Sequence, residues 1–337
     1  MHRMSTDIAA AQGRRLTLTM ALTLTLWMSA CTGRLLQDPV IEPLSNEHMI
    51  IVTVTAGDTL ENLAETHLGD SAKAWWIAAY NGADAFAPGT QVVIPRRPIV
   101  PGGLRVDGYQ TIPILMYERI ADGIDSSAVS AAEFEAQMAY LAGNGFSALN
   151  LTALLAFLDL DDSIPPGAVV ITLEGSEPWV YDIAYPILKR HGLRAALFTV
   201  PEAIGQPGRL TWESLRAMAA DGFDIGLLGT PGVRPVSPQP PAESRVQRMA
   251  REIGAGRQAL QAGLDRSCDF FAYPGRADDV IVTYISKQGF RAAFTRESGA
   301  NAFFSDPFRL KRQLVGAETD LNRFERLLVT FHSAELR

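Results

Sequence analysis

At 337 residues the chain is long enough for two domains and a leader, and 47% hydrophobic residues allow it a substantial core. With 37 acidic against 30 basic residues the net charge is −7 and no basic stripe breaks the acidic balance, which excludes nucleic acid as a partner class.

The first thirty residues read as an export signal. Arg3, Arg14 and Arg15 precede the apolar run Leu16 to Trp27, which is too short for a permanent membrane span, and the small residues Ser29 and Ala30 follow. An uncleaved anchor is the alternative. Cys31 behind Ser29-Ala30 resembles the bacterial lipoprotein lipobox, with Met28 where leucine is more usual. That resemblance implies lipidation of Cys31, a membrane attachment through the lipid and, since Thr32 and not aspartate follows, the periplasmic side of the outer membrane in a diderm cell. With Cys31 lipidated, Cys268 is the only thiol left and no internal disulfide is possible. Beside Phe270-Phe271, Cys268 reads as a small buried hydrophobe. Residues 31–49, with Pro39, Pro43 and Asn46 and no periodicity, read as a tether.

Residues 50–96 form a β-α-α-β pattern. Val52 to Thr55 alternates as a strand; Asp58 and Glu61 have capping-box spacing at the start of a helix carrying Leu60, Leu63 and Ala64. A second helix is predicted from Ser71 to the stop signal Asn81-Gly82, and Gln91 to Ile94 is the second strand. Trp75 and Trp76 are about 100° apart on a helix, so one belongs to the core and the other is partly exposed. Thr53 to Leu60, Trp76 to Asn81 and Pro88 to Pro95 together resemble a LysM module. The resemblance implies a shallow groove for N-acetylglucosamine of peptidoglycan or a chitin-like glycan, with Gly57, Asp58, Thr59 and Leu60 facing Asn81 and Gly82. Pro95 to Gly103 is rich in breakers, and residues 97–109 read as a linker.

The larger domain, 110–337, alternates buried strands with helices, the pattern of an α/β fold with a parallel sheet. Thr111 to Tyr117 is its first strand. Ala168 to Leu173, an uninterrupted β-branched run ending in Glu174-Gly175-Ser176-Glu177, is the central one. In such folds chemistry gathers where parallel strands end. Further strands are predicted at 195–200, 222–226 and 270–272, with helices at Tyr181 to Arg190, Trp212 to Ala220 and Glu243 to about Leu264. The helical pattern near the C-terminus continues to the chain end. His191 reads as a surface or packing histidine at the end of the barrel away from the site.

Several blocks in order resemble the polysaccharide deacetylase family: Pro113 to Glu118, Thr172 to Ser176, Gly222 to Gly232, Phe270 to Gly275 and Pro307 to Arg312. The resemblance implies a distorted (β/α) barrel and a divalent-metal amide hydrolase. The family's strand ending Thr-Phe-Asp-Asp-Gly supplies a general base and a metal ligand, and two histidines further on complete the ligand set. Here those four positions hold Glu174, Gly175, Leu228 and Gly232, and the first block's histidine is Glu118, followed by Arg119. A catalytic zinc needs about three protein donors of nitrogen, sulfur or carboxylate type. Neither glycine nor leucine supplies one, so no metal or other cofactor is expected. The chain therefore reads as an envelope lipoprotein whose barrel binds glycan, with Glu118, Glu174 and Glu177 on one rim and Trp179 as either a stacking face or a core residue. An active hydrolase with a rebuilt site is the alternative, by residual deacetylation or with Glu118 and Glu174 as a glycosidase-like carboxylate pair. The Pro-rich run Pro231 to Pro241 is expected to cover the barrel mouth.

Overall fold

The strand β8 (Ala168–Glu174) is buried along its whole length, because it lies between two parallel neighbours and carries apolar side chains on both faces. The computed structural model describes residues 44–97, 101–105, 107–121, 128–230 and 244–334. The leader, Cys31 and the run Pro231 to Pro241 fall outside them. Among the described residues no helix is long and apolar enough to cross a membrane.

Around β8 the sheet order is β12-β11-β10-β9-β8-β6, formed by β6 (Ile112–Tyr117), β9 (Ala196–Thr199), β10 (Asp224–Leu228), β11 (Phe270–Ala272) and β12 (Ala292–Phe294), all parallel. β7 (Ser147–Ala148) pairs with the start of β8, β13 (Ala300–Asn301) runs antiparallel to β6, and β14 (Gln313–Val315) runs parallel to it. The sheet curls into a half-barrel. One run of chain touches both of its edges: Pro307 to Leu310 hydrogen-bonds β12, and the continuation β14 pairs with β6.

Strand periodicity sorts the side chains into two cores. Val169, Ile171 and Leu173 of β8 face the helices. These are α3 (Ala131–Gly143), α5 (Tyr185–Arg190), α6 (Trp212–Ala220), α7 (Arg245–Leu264), α8 (Asp279–Lys287) and α9 (Leu321–Leu327). Ala168 and Val170 face inward, with Ile112, Ile114, Phe198, Phe270 and Phe294, over α4 (Leu151–Leu158). Even-numbered positions on β6 and β8 therefore point into the barrel, and Glu118 and Glu174 continue that parity at its mouth. Cys268 is buried and its thiol is pushed up to about 12 by burial, as a packing residue should be.

The expected helix at 181–190 opens as a wide π turn over Val180–Ala184. Pro186 has no N–H to donate, and the chain bonds Tyr185 N–H to the Val180 carbonyl instead. The C-terminus departs further from expectation. The helical pattern stops at Leu327, and Phe331–Ser333 forms β15, antiparallel to β5 (Gly108–Gln110), which in turn pairs with β4 (Leu104–Arg105). Part of the expected linker is thus ordered sheet, and Thr111 N–H to the Thr330 carbonyl (2.9 Å) fixes the join. His332 sits on this small sheet at the start of β6, away from the mouth.

The small N-terminal unit has the expected order: β2 (Met49–Thr53), α1 (Leu60–Leu68), α2 (Ala74–Asn81) and β3 (Gln91–Pro95). β1 (Leu44–Ser45) extends it into the expected tether by pairing with β2. Trp76 is core and Trp75 half-buried. A capping box from Asp58 does not form. Thr59 is the N-cap, accepting from Asn62 N–H at 3.2 Å, while the Asp58 carboxylate turns back to Thr55 N–H (2.6 Å) and the Thr55 hydroxyl (2.9 Å). These two bonds hold the Asp58 carboxyl below its ordinary range. The second helix begins as a 3₁₀ turn, Ser71–Lys73, capped by Asp70.

Asn81 pins α2 to the free edge of β3. Its amide donates to the Ile77 and Val93 carbonyls at 2.8 and 2.7 Å and accepts from Val93 N–H at 3.0 Å, completing a strand edge that has no neighbour. Truncation strands both Val93 groups. Asn81→Ala is expected to cost about 1–3 kcal/mol, a large fraction of the stability of so small a unit. Limited proteolysis measures it: cleavage within 49–95 should appear at protease levels that leave the barrel intact, and unchanged resistance would refute the pinning role.

Candidate functional site

Four strand ends bring charged side chains to one mouth. Glu118 directly follows β6, Glu174 ends β8, Arg296 lies two residues beyond β12, and Arg312 immediately precedes β14. Glu174 is 6% exposed and Arg312 is wholly buried. Arg312 donates from Nη2 to Glu174 Oε1 at 2.5 Å and from Nε to the Thr295 carbonyl at 2.8 Å, with its guanidinium over the Phe198 ring at 5.7 Å. Arg296 donates from Nη1 to Glu174 Oε2 at 3.3 Å, and its Nη2 makes a short ion pair with Glu118. The result is an alternating chain, Glu118, Arg296, Glu174, Arg312, with two charges of each sign. Burial pulls Arg312 below the ordinary arginine range, opposed chiefly by the Glu174 carboxylate. Its Nη1 makes no hydrogen bond among the described residues.

The sequence brought Glu118 and Glu174 to this mouth but not the arginines. Parity could have found Arg296: Phe294 faces inward, so two residues on the chain points the same way as it leaves the strand. Arg312 closes the family-like block Pro307 to Arg312, but that block gave it no role at the mouth.

Gly175 adopts φ +140°, a backbone region that favours glycine, and a Cβ built on it would stand 2.4 Å from Glu177 Oε2. Glu177 is itself engaged, accepting Ser176 N–H at 2.9 Å and pairing with Arg209. Leu228 ends β10 half-buried, its side chain against the inner apolar core. Gly232 lies outside the described residues. Among those residues no group of three His, Cys, Asp or Glu side chains could hold a metal ion. Among the described residues the donors at the mouth do not fit a catalytic zinc: Gly175 and Leu228 offer none, and both neighbouring carboxylates already bind a guanidinium.

Glu118 divides the mouth into two hollows. One, of about 1010 Å³, is lined by Pro274, Arg276, Arg296 and Arg309; the other, of about 940 Å³, by Arg119, Glu177, Trp179 and Arg209. Trp179 is 8% exposed and belongs to the main core, so packing is its first role. His191 lies away from the mouth, where its Nε2 meets Glu135 Oε1 at 2.5 Å. In the small unit, Gly57 (φ +97°) and Gly82 (φ +70°) shape the two loops predicted to face a ligand, and the Asn81 amide is spent within the fold. Asp58 is likewise turned onto Thr55.

Comparison with known proteins covers the three middle blocks in its family match. Residues 161–293 match the family model for polysaccharide deacetylase. The Bacillus subtilis (strain 168) protein whose name reads "Putative polysaccharide deacetylase YxkH" is 29% identical over 210 residues, spanning 60% of this chain and 71% of the relative. The structure of Streptococcus pyogenes deacetylase PplD in complex with acetate superposes with a TM-score of 0.59 at 19% identity, covering 65% of this chain and 98% of that one. IcaB from Ammonifex degensii gives 0.57 at 24% identity, over 66% and 96%. These identities speak for the fold. The larger unit resembles polysaccharide deacetylase domains in its family match and in its fold.

Proposed function

We propose that a chain built on a polysaccharide deacetylase-like domain, with these substitutions, is a cell-envelope glycan-binding protein whose barrel holds an N-acetylated glycan without metal-dependent hydrolysis. One observation carries the reading. Arg296 joins Glu118 to Glu174 at the mouth, so a fixed guanidinium, and not a set of open donors, faces the carboxylate that stands at the base position. Amide hydrolysis of this kind draws on a metal to polarise the carbonyl and supply hydroxide, and a carboxylate held by two arginines replaces neither.

The remaining parts fit the same picture. The small unit, read as a LysM module, contributes the loops around Gly57, Asp58, Thr59 and Leu60 and around Gly82, where backbone groups do most of the recognition because the Asn81 amide is committed. Glu177 and Arg209 form the rim of the barrel's second hollow. The leader exports the chain, and a lipid on Cys31 tethers it to the outer membrane, periplasmic side, in a diderm cell. Its partners are peptidoglycan or a chitin-like glycan and the membrane, with no nucleic acid and no cofactor.

Acetate release from N-acetylglucosamine oligomers and peptidoglycan, with zinc or cobalt and with chelator, tests the proposal on purified 32–337. Retained binding to cell wall with no release above a protein-free control is the expected result. Metal-dependent release abolished by chelator would replace this reading with that of an active deacetylase. Chain cleavage without acetate would point to Glu118 and Glu174 as a hydrolytic pair.

A further inference from the structure

A third hollow, of about 490 Å³, opens on the flank of the barrel among Tyr109, Phe304, Ser305, Lys311, Val329 and His332. Three separate pieces of chain build it: residues 109–111, 300–311 and 329–332. Phe304 is 64% exposed, forgoing most of the stabilisation that burial of its ring would bring. It stands edge-on to Tyr109 at a centroid distance of 5.3 Å, and the His332 ring lies 5.0 Å from the same tyrosine. Around these rings, hydrogen-bonding capacity is unspent. The Tyr109 hydroxyl, the Lys311 ammonium and the His332 imidazole make no hydrogen bond among the described residues. An aromatic floor with convergent polar groups at its edge is the usual make-up of a small-molecule site.

Arg309 lines this hollow and also the larger one at the mouth that contains Arg296. Its guanidinium is fixed by the Ala277 carbonyl at 3.3 Å and by Asp279 at 2.5 Å, so the two spaces share one ordered wall. A ligand long enough to leave the mouth beside Arg296 meets Arg309 and then the aromatic hollow.

We propose that the hollow at Tyr109 and Phe304 is an outlying subsite for a further pyranose unit of the glycan held at the mouth. The inference rests on the glycan-binding reading of that mouth. A pyranose has an apolar C–H face and a rim of hydroxyls. The face lies on the exposed Phe304 ring, and the rim takes hydrogen bonds from Lys311, His332 and the Tyr109 hydroxyl. The barrel then recognises a polymer by length, and a short oligomer fills the mouth alone.

Photo-crosslinking of the full chain with diazirine-bearing N-acetylglucosamine oligomers, a disaccharide and a long oligomer, followed by peptide mapping, tests this. The disaccharide is expected to label only peptides that line the mouth, 274–297 and the one holding Arg309, and the long oligomer those peptides and 329–332. Phe304→Ala, at an exposed position, should lower the 329–332 label by about tenfold, the value of one aromatic contact. It should leave the label at 274–297 and the unfolding temperature unchanged. Long-oligomer labelling at the mouth with none at 329–332, or labelling there that Phe304→Ala does not move, overturns the subsite and leaves the mouth reading intact. No label at the mouth with either oligomer overturns the glycan reading on which the subsite rests.

Discussion

Arg312→Met is expected to destabilise the protein by about 3–5 kcal/mol, the loss seen when one partner of a buried ion pair is removed and the other is left behind. The size follows from the burial. Arg312 is wholly enclosed, and Glu174, its partner at 2.5 Å, is 6% exposed, so little water is available to solvate the stranded carboxylate. Arg296, at 3.3 Å, remains to share the charge and keeps the loss toward the lower end of that range. Glu174→Gln in the Arg312→Met background removes the orphaned charge and is expected to recover part of the loss. Urea denaturation of the single and double variants measures both. A cost under about 1 kcal/mol for the single variant would place the pair among ordinary surface ion pairs and contradict its enclosure.

Placing at position 175 the carboxylate that the resemblance to polysaccharide deacetylases implies there is expected to yield no metal site. In Gly175→Asp the residue must hold φ +140°, which costs on the order of 1–3 kcal/mol for a residue with a Cβ. The new side chain also enters space held by Glu177, whose Oε2 would lie 2.4 Å from its Cβ, and two carboxylates then repel. Adding Leu228→His supplies a nitrogen but leaves Arg296 bridging Glu118 and Glu174. The double variant should therefore be destabilised and retain no zinc after dialysis, as read by metal content. Stoichiometric zinc would show that the site lacks only side chains, with its backbone and its arginines no obstacle.

Much of the fold was legible because its signals are local. The run Ala168 to Leu173 has no alternative to a buried strand, and the even-numbered parity that aims Glu118 and Glu174 at one mouth follows from strand geometry alone. What failed depended on distant partners. Arg296 and Arg312 lie 122 and 138 residues beyond Glu174, and although parity aims Arg296 inward and Arg312 closes a family-like block, neither signal names the carboxylate each one meets. Phe331–Ser333 is a strand because β5 offers it an edge, and three residues without that edge carry too little pattern to declare themselves. Asp58 and Thr59 are both good caps, and the choice between them was settled by Thr55, whose N–H and hydroxyl claim the aspartate.

The run of chain that spans both edges of the curled sheet also bears on how the protein is made. β6 is among the first barrel strands to leave the ribosome, yet its partner β14 and the segment bonded to β12 lie in the last tenth of the chain. Until residue 315 is available, a nascent or truncated barrel carries open parallel edges at β6 and β12, the surfaces through which sheets pair with the wrong neighbour. Pairing across so long a separation is intrinsically slow. A premature stop shortly before Gln313 would remove few residues and no charge at Glu174 or Arg296, but would leave a molecule that cannot finish its sheet. Such a product should be cleared or aggregate, so mutational tolerance should be low around Leu310, Arg312 and Val315, for the closure of the sheet as well as for their burial.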